Sequence, residues 1–564
     1  MNYIDLIVLA GTLLFIVFYG VWRTRGQNSI ESYLRGDSTL KWGTIGLSVM
    51  ATQASAITFI STPGQGFESG MGFVQNYFGL PIALLIVATV FIPIYYKLKV
   101  YTAYEYLESR FDFKTRVLGA MLFLIQRGLA AGITIYAPAI ILSSILDWDL
   151  SLTIVLTGIL VIVYTVSGGT KAVSITQKQQ MAVIMGGMFL AFFILINYIS
   201  KHVSFGEAID IAGALGKTKA VDFDFSFEKR YTIWSGLAAG LFLQLSYFGT
   251  DQSQVQRYLG GKDTKASKMG LMFNAIFKIP MQFFILFVGV MVYVFYIFYT
   301  PPIHFKEQSI AMVEQTDSRT ELESLNQQFD VAVQKRSATA KAYVQGGEVQ
   351  DLVNANQEVE RLRSEAKDLI QRNDPEVATK DSDYVFLTFI LNYLPHGVIG
   401  LLIAVILSAA MSSTSSEVSA LASTSMIDFY KRIVNSKGSD IHYLLVSKIL
   451  TLLWGVLAIL FALLAQSSEN LIEAVNIVGS IFYGTILGLF LVAFFFKYIK
   501  GTAVFYGALL AEGVVIACHF LTVSEVIELG YLWYNAIGCF LTILFGFMIQ
   551  SIRKSPPEVP VESE

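Results

Sequence analysis

An all-α, polytopic membrane protein is the fold class this sequence predicts, and three observations predict it. Apolar residues make up 54% of the 564 residues and charged residues 15%, against about 25% charged in soluble domains. The apolar residues fall in repeated runs of about 20, the length one helical crossing of the hydrocarbon core needs. Lys and Arg crowd into every second short loop and are scarce in the others, the asymmetry that orients a membrane protein. The formal charge of −3 and the lack of a basic tract point away from nucleic acid as a partner. Cys518 and Cys539 both sit inside apolar runs, so neither a disulfide framework nor a thiolate metal site is indicated.

About thirteen spans are expected, near residues 3–22, 42–66, 72–97, 114–145, 150–167, 178–199, 231–252, 268–299, 386–427, 441–466, 470–497, 502–523 and 530–551. The first begins after Met1-Asn2-Tyr3-Ile4-Asp5 with no basic leader or small-residue cleavage site, and reads as a span retained in the protein. One set of loops holds Arg23, Arg25, Arg35 and Lys41, then Lys97, Lys99, Arg110 and Lys114, then Lys171. It continues with Arg257, Lys262, Lys265 and Lys268, Lys431, Arg432 and Lys437, Lys497 and Lys500, and Arg553 and Lys554. The other set is nearly free of cations outside the loop 201–230. The expected topology is therefore a plasma or inner membrane protein with its N-terminus outside, its C-terminus cytoplasmic and an odd number of spans.

Residues 304–383 interrupt the apolar pattern on the outer side. Glu307–Gln345 and Val349–Arg372 are rich in Glu, Gln, Ala, Lys and Leu, with Gly346-Gly347 between them and Asn373-Asp374-Pro375 at the end. The composition predicts two antiparallel helices of about 40–55 Å. Leu322, Leu325, Phe329 and Val333 would face Val349, Leu352, Val359, Leu362 and Leu369 in a coiled-coil seam. The alternative is a loose charged loop. Such a hairpin suits a cap over an outer vestibule or contact with an unknown protein partner.

Polar residues inside apolar runs carry the chemistry. In Ile45–Gly66 the run is interrupted by Thr52-Gln53-Ala54-Ser55 and by Ser61-Thr62-Pro63-Gly64, as expected where a membrane helix unwinds and exposes carbonyls. Unwound backbone at membrane depth survives only around a cavity or an ion. Gly236–Gly249, with Gln244-Leu245-Ser246-Tyr247, is a second such segment, and the pair argues for two repeats. Leu407–Ser425 fills with hydroxyls, and a helix there presents Ala409, Ser412, Ser413 and Ser416 on neighbouring turns of one face. Carbonyl and hydroxyl oxygens are ligands for a hard cation. Small residues equally allow two helices to pack closely, and on spacing alone that account comes first. Arg127 and Lys278 lie within apolar helices, where an uncompensated charge costs about 2.5–3.5 kcal/mol even on the mild insertion scale. Each should line a cavity or meet an anion, Glu417, Glu473 and Glu512 being the main intramembrane candidates. Arg is suited to bidentate capture of a carboxylate.

Five motifs then occur in order: Ser32-Tyr33-Leu34-Arg35-Gly36 before Trp42-Gly43; Thr102-Ala103-Tyr104-Glu105-Tyr106-Leu107-Glu108-Ser109-Arg110-Phe111; Ser167-Gly168-Gly169-Thr170-Lys171-Ala172-Val173; Gly249-Thr250-Asp251-Gln252 with Gln256-Arg257; and Ala409-Ala410-Met411-Ser412-Ser413 followed by Asp428-Phe429-Tyr430-Lys431. Together they resemble the sodium:solute symporter family, which includes the sodium–glucose cotransporters and the bacterial sialic acid and proline carriers. The chain looks like a bacterial-type member with an extra extracytoplasmic helical insert.

The resemblance implies a leucine-transporter-like fold of two inverted five-helix repeats. Residues 1–41 would hold the first helix and an inner loop, 42–200 the first repeat and 201–230 an outer loop. The second repeat would run through 231–303 and 384–500 around the insert 304–383, followed by two C-terminal helices in 501–552 and a cytoplasmic tail, 553–564. It implies a Na+ site from the carbonyls of Ala51, Ala54 and Ala409 and the hydroxyls of Ser412 and Ser413, which shifts the serine stretch from packing to an ion site. Ser415 and Ser416 match the hydroxyls of a second sodium site found in some members, but the aspartate of that site is replaced by Gln177, after Thr176. Loss of the only carboxylate removes most of the attraction, so one coupled sodium is expected, with a weak second ion at Gln177 as the opposing reading. For the solute, matching positions are Gln53, Ser55, Thr58, Asn76, Tyr77, Gln244, Tyr247 and Lys278, with Arg127 near a place where members bind a carboxylate. Tyr247 resembles the aromatic inner gate of sugar-transporting members. The implied function is sodium-coupled symport of a small organic solute, a sialic acid or monocarboxylate ahead of a sugar. A solute sensor on the same fold is the alternative, disfavoured by the short tail after Ile552. The five histidines are scattered and no His-Glu-x-x-His or nucleophile-elbow pattern occurs, so an enzyme is not expected. Nor is there the filter or charge ring of a channel.

Overall fold

The structure is a computed structural model and describes residues 2–23, 33–34, 39–146, 148–375, 377, 379–464 and 471–553. Arg25, Ser32, Arg35, Gly36 and the tail from Lys554 onward fall outside the described residues. Among the described residues the regular structure is helical, apart from an isolated bridge between Leu40 and Gly261. The long elements are α1 (Tyr3–Arg23), α2 (Trp42–Gln53), α3 (Ala56–Ser69), α4 (Phe113–Leu146), α5 (Leu150–Ile199), α6 (Gly240–Gly249), α7 (Gln252–Leu259) and α8 (Thr264–Phe298). They continue with α9 (Arg319–Val344), α10 (Val349–Asn373), α11 (Ser382–Tyr393), α12 (Val398–Thr424), α13 (Asp440–Leu464), α14 (Leu471–Phe495), α15 (Gly501–Val523) and α16 (Trp533–Ile552). Among the described residues nine helical stretches are long and apolar enough to cross a membrane, one of them running on from α3 to Leu98, and Tyr3–Ile16 and Leu150–Val166 are shorter apolar helices. The protein is a multi-pass membrane protein.

The elements differ from the expected spans at four places besides 72–97, which opens in a 3-10 segment, Gly70–Tyr77, and holds a π-turn at Val87–Phe91. First, 150–167 and 178–199 join into one 50-residue helix, α5. It is sharply bent, because the Tyr164 hydroxyl meets Thr176 Oγ1 at 2.5 Å, whereas 12 residues of straight helix would separate their Cα atoms by about 18 Å. Second, 386–427 is divided into α11 and α12. Leu394 before Pro395 turns extended, with ψ 149°, and Gly397 takes a φ of 88° that other residues avoid.

Third, the helix over 42–66 breaks only once, at Ala54 and Ser55, with ψ of 73° and 177°. Ser61-Thr62-Pro63-Gly64 stays helical inside α3. Its small residues serve contact instead of unwinding: a Cβ on Gly64 would lie 2.0 Å from Ser382 O, and one on Gly66 2.3 Å from Leu286 O. Fourth, Gln244 and Tyr247 lie within the unbroken α6, which follows a π-turn at Ser235–Ala239. The chain breaks after it, at Thr250 and Asp251, and Asp251 caps α7 by accepting from Ser253 N at 2.8 Å.

The helical hairpin expected within 304–383 is present. Its first arm divides into Glu307–Glu314 and α9, because Thr316-Asp317-Ser318 favours a turn in which Ser318 N donates to Thr316 Oγ1 at 3.3 Å. Leu322, Leu325, Phe329 and Val333 pack with Val359, Leu362 and Leu369 in two small clusters, and Leu352 is buried in the main core. Val349 is 45% exposed and outside the seam, at the first turn of α10 next to the loop.

The hairpin is fastened to the membrane helices by charged groups. Arg336 donates to Tyr296 O of α8 at 2.9 Å, and Tyr293 to Asn356 Oδ1 at 2.6 Å. Arg363 bonds Asp381 Oδ2 at 2.8 Å and lies 5.9 Å from the centre of the Phe67 ring of α3. Burial pushes the Asp381 carboxyl up, but Arg363, His304 and Lys367 outweigh it and hold it down to about 2. A lowered carboxyl contributes stability that is present above its unfolded value of about 3.9 and lost as pH falls towards about 2. Removing one member of a buried pair costs about 3–5 kcal/mol. Arg363→Ala is therefore expected to loosen the hairpin at neutral pH, read as faster tryptic cleavage within α9 and α10. Unchanged cleavage would mean that Arg363 does not anchor it.

Candidate functional site

The site begins with the break in α2–α3. A helix that stops at Gln53 leaves its last four carbonyls without i+4 partners. Ala54 N still reaches Met50 O at 2.8 Å, so the freed carbonyls are those of Ala51, Thr52, Gln53 and Ala54. Thr58 Oγ1 donates to Gln53 O at 3.3 Å. The others sit in the stretch that packs beside α12, whose residues from Leu402 to Thr424 are all buried. Thr52 Oγ1 lies 3.5 Å from Ser416 Oγ, which brings the broken helix and the serine helix together.

On α12, Ser413 Oγ donates to Ala409 O at 3.1 Å and Ser416 Oγ to Ser412 O at 2.9 Å. Ser412 Oγ and Ser415 Oγ are buried and have no hydrogen-bond partner among the described residues. A buried hydroxyl left unsatisfied is costly, so the bare Ser412 oxygen fits a hard cation held by neutral oxygens. Among the described residues no three His, Cys, Asp or Glu side chains are grouped as a site for a multivalent metal.

Gln177 of α5 stands beside this face. Its Oε1 accepts from Ser48 Oγ at 2.5 Å, and its Nε2 donates to Thr52 Oγ1 and Ser416 Oγ, both at 3.1 Å. The amide thus links α2, α5 and α12, and its N–H groups point at the oxygens a cation would otherwise draw.

A cavity of about 90 Å³ adjoins the break. Of the residues the sequence singles out for the solute, Gln53, Ser55, Thr58, Tyr77, Arg127, Gln244 and Tyr247 line it, and Asn76 and Lys278 do not. Gln53 Oε1 and Gln244 Oε1 have no partner among the described residues and are free to meet a solute. Lys278 is fully buried behind Tyr77, its Nζ 5.5 Å from the ring centre and without a hydrogen bond to the described residues. Asn76 is buried with neither end of its side-chain amide bonded to them.

Arg127 meets two carboxylates. Nη1 donates to Glu417 Oε1 at 3.0 Å, and Nη2 donates to Asp251 Oδ2 and to the Tyr483 hydroxyl. Tyr483 in turn donates to Asp251 Oδ2 at 2.8 Å, and the Tyr247 ring lies 5.4 Å from the guanidinium. Glu417 is among the acids the sequence offers as partners. Glu473 instead bonds Arg230 and Tyr231 at 2.9 and 2.7 Å. Asp251, Tyr483, Thr134 and Asn476 escape sequence reasoning as site residues: no local pattern ties them to Arg127, and only the Gly249–Gln252 motif marks one of them.

Comparison with known proteins gives a consistent result. A family model described as the sodium:solute symporter family matches residues 33–323 and 372–511, leaving out most of the hairpin. Sodium-coupled monocarboxylate transporter 1 of Xenopus laevis is 32% identical over 275 residues, 48% of this chain and 44% of that protein. The sodium/iodide cotransporter of Homo sapiens is 30% identical over 292 residues, 51% of this chain and 45% of that protein. The sodium-dependent multivitamin transporter of Oryctolagus cuniculus is 32% identical over 267 residues, 47% and 42%. The chain thus spans a little under half the length of the curated relatives it matches. A Na+-coupled sialic acid symporter, solved substrate-bound and outward-open, shares the fold with a TM-score of 0.74 at 24% identity, over 98% of each chain. The chain belongs to the sodium:solute symporter family.

Proposed function

We propose that this protein is a sodium-coupled symporter of the cell membrane, N-terminus outside, that imports a small carboxylated solute by alternating access. The observation that carries the reading is the single break at Ala54–Ser55 held against α12, with Thr52 3.5 Å from Ser416. Na+ binds among the carbonyls of Ala51, Ala54 and Ala409 and the hydroxyls of Ser412 and Ser413. Five neutral oxygens suit a weak, releasable site. Sodium stabilises the outward-open state, the solute closes it, and rocking of one helix group against the other releases both inside.

The solute meets Gln53, Ser55, Thr58, Gln244 and Tyr247, with Arg127 as the cation for its carboxylate. Asn76 and Lys278 join only through movement of Tyr77, behind which Lys278 lies. A cavity of about 90 Å³ is small beside ligand pockets of about 300–1,000 Å³. That favours a short monocarboxylate over a sialic acid or a sugar. Two of the relatives also carry names of small anions, monocarboxylate and iodide.

The test is a solute panel, with pyruvate and a sialic acid included, scored for sodium-dependent binding to the purified protein and for uptake into sealed vesicles. Binding that ignores sodium would refute symport. Binding without accumulation would point to a sensor on the same fold.

One sodium per cycle is the expected stoichiometry, because the Gln177 amide donates where a second ion would need an acceptor carboxylate. Gln177→Asp is expected to raise the sodium Hill coefficient of binding from about 1 towards 2, since a carboxylate restores the missing attraction. An unchanged coefficient would mean that no second ion enters among Gln177, Ser415 and Ser416.

A further inference from the structure

We propose that Glu417 carries a proton together with the solute, so that each carboxylate enters with one proton as well as sodium. The proposal rests on the symport reading above and goes beyond it by naming a second coupling ion. It starts from a charge count. Asp251, Glu417 and Arg127 meet in one buried cluster, two acids against one base. A solute carboxylate entering beside them would add another negative charge at membrane depth, where uncompensated charge is strongly disfavoured. A proton entering with it leaves the charge of the cluster unchanged.

The hydrogen bonds decide which acid takes the proton. Asp251 Oδ1 accepts from Ser253 N at 2.8 Å and from Ser253 Oγ at 2.6 Å. Its Oδ2 accepts from Arg127 and from the Tyr483 hydroxyl. Both Asp251 oxygens are thus already taken up by donors. Glu417 is 6% exposed and lines the cavity; Arg127 holds its Oε1, and the neighbouring Thr134 hydroxyl donates to Ala130 O at 2.9 Å, so that Oε2 meets no donor in hydrogen-bonding geometry among the described residues. The titratable groups facing Glu417 from the elements packed against it are Arg127 on α4, Asp251 before α7, Tyr247 on α6 and Tyr483 on α14.

The step balances. A proton from the outer water forms an O–H bond on Glu417 Oε2, and the neutral carboxyl relaxes its hold on Arg127 Nη1. That N–H turns to the solute carboxylate. When the inner side opens, the solute leaves, the proton passes to the inner water, and Glu417 recovers Arg127. The proton thus frees the cation that the anion needs.

Two measurements test this. In sealed liposomes with a pH dye inside and an inward sodium gradient, pyruvate uptake is expected to acidify the lumen one proton per pyruvate, beyond protein-free liposomes. The rate should rise up to about tenfold per unit fall in outer pH. Glu417→Gln should remove both the pH dependence and the acidification. Sodium-driven pyruvate uptake without acidification, or a pH dependence that survives in Glu417→Gln, would overturn the proposal. The second measurement needs no solute: an infrared pH titration of the purified protein should show a protonated-carboxyl band that is missing in Glu417→Gln and kept in Asp251→Asn. If pyruvate is not carried at all, the solute reading fails and the infrared band still decides. A titration unchanged by Glu417→Gln would rule out the proton site.

Discussion

Replacing Arg127 with alanine is expected to destabilise the folded protein by about 3–5 kcal/mol, the usual cost of leaving buried charge without its partner. Both Asp251 and Glu417 lose their cation at once. Asp251 keeps Ser253 and Tyr483, whereas Glu417 loses the hydrogen bond it has from Arg127. The double variant Arg127→Ala/Glu417→Gln should therefore recover part of the loss, because a neutral amide needs no cation. Thermal unfolding of the purified protein checks this. An Arg127→Ala protein that melts with the wild type would mean that the three charges are not coupled. Solute binding separates the structural role from recognition: if the double variant folds and still binds pyruvate as the wild type does, Arg127 is not the carboxylate anchor.

The same cluster marks how far sequence reasoning reaches. The break at Ala54–Ser55 and the serines of α12 are legible because each is a local anomaly, polar residues where an apolar run should continue. The hairpin is legible from composition and periodicity in the same way. What fails is the reading of small residues by type alone. Ser61-Thr62-Pro63-Gly64 has the composition of an unwound segment, yet Gly64 and Gly66 are there because Ser382 O and Leu286 O press against them. Nothing local separates a glycine that frees the backbone from one that admits a neighbour. Arg127 shows the other limit. Its acids lie 124 and 290 residues away, so the need for a partner is readable from the buried charge, while the presence of two acids is not. The bend in α5 is of the same kind, a tertiary demand placed on a segment whose local pattern reads as two spans.

Ser412→Ala is expected to weaken sodium binding by about ten- to a hundredfold, as a hydrogen-bond-strength contact to a charged group contributes about 1.5–3 kcal/mol. Ser412 is the informative choice because its buried Oγ has no partner among the described residues. Its removal breaks no bond among them, so the fold should be kept and the loss should fall on the ion. Ser413 is different, since its hydroxyl already donates to Ala409 O at 3.1 Å and to Ala410 O at 3.2 Å. Ser413→Ala thus mixes ion binding with helix geometry. Ser408 provides the control: it is buried and unbonded like Ser412 but lies one turn earlier, outside the proposed ligand set. Sodium titration of solute binding in the three variants should order them with Ser412→Ala most affected and Ser408→Ala near the wild type. If Ser412→Ala binds sodium as tightly as Ser408→Ala, the hydroxyl face of α12 is a packing surface, and the ion must be sought elsewhere along the break.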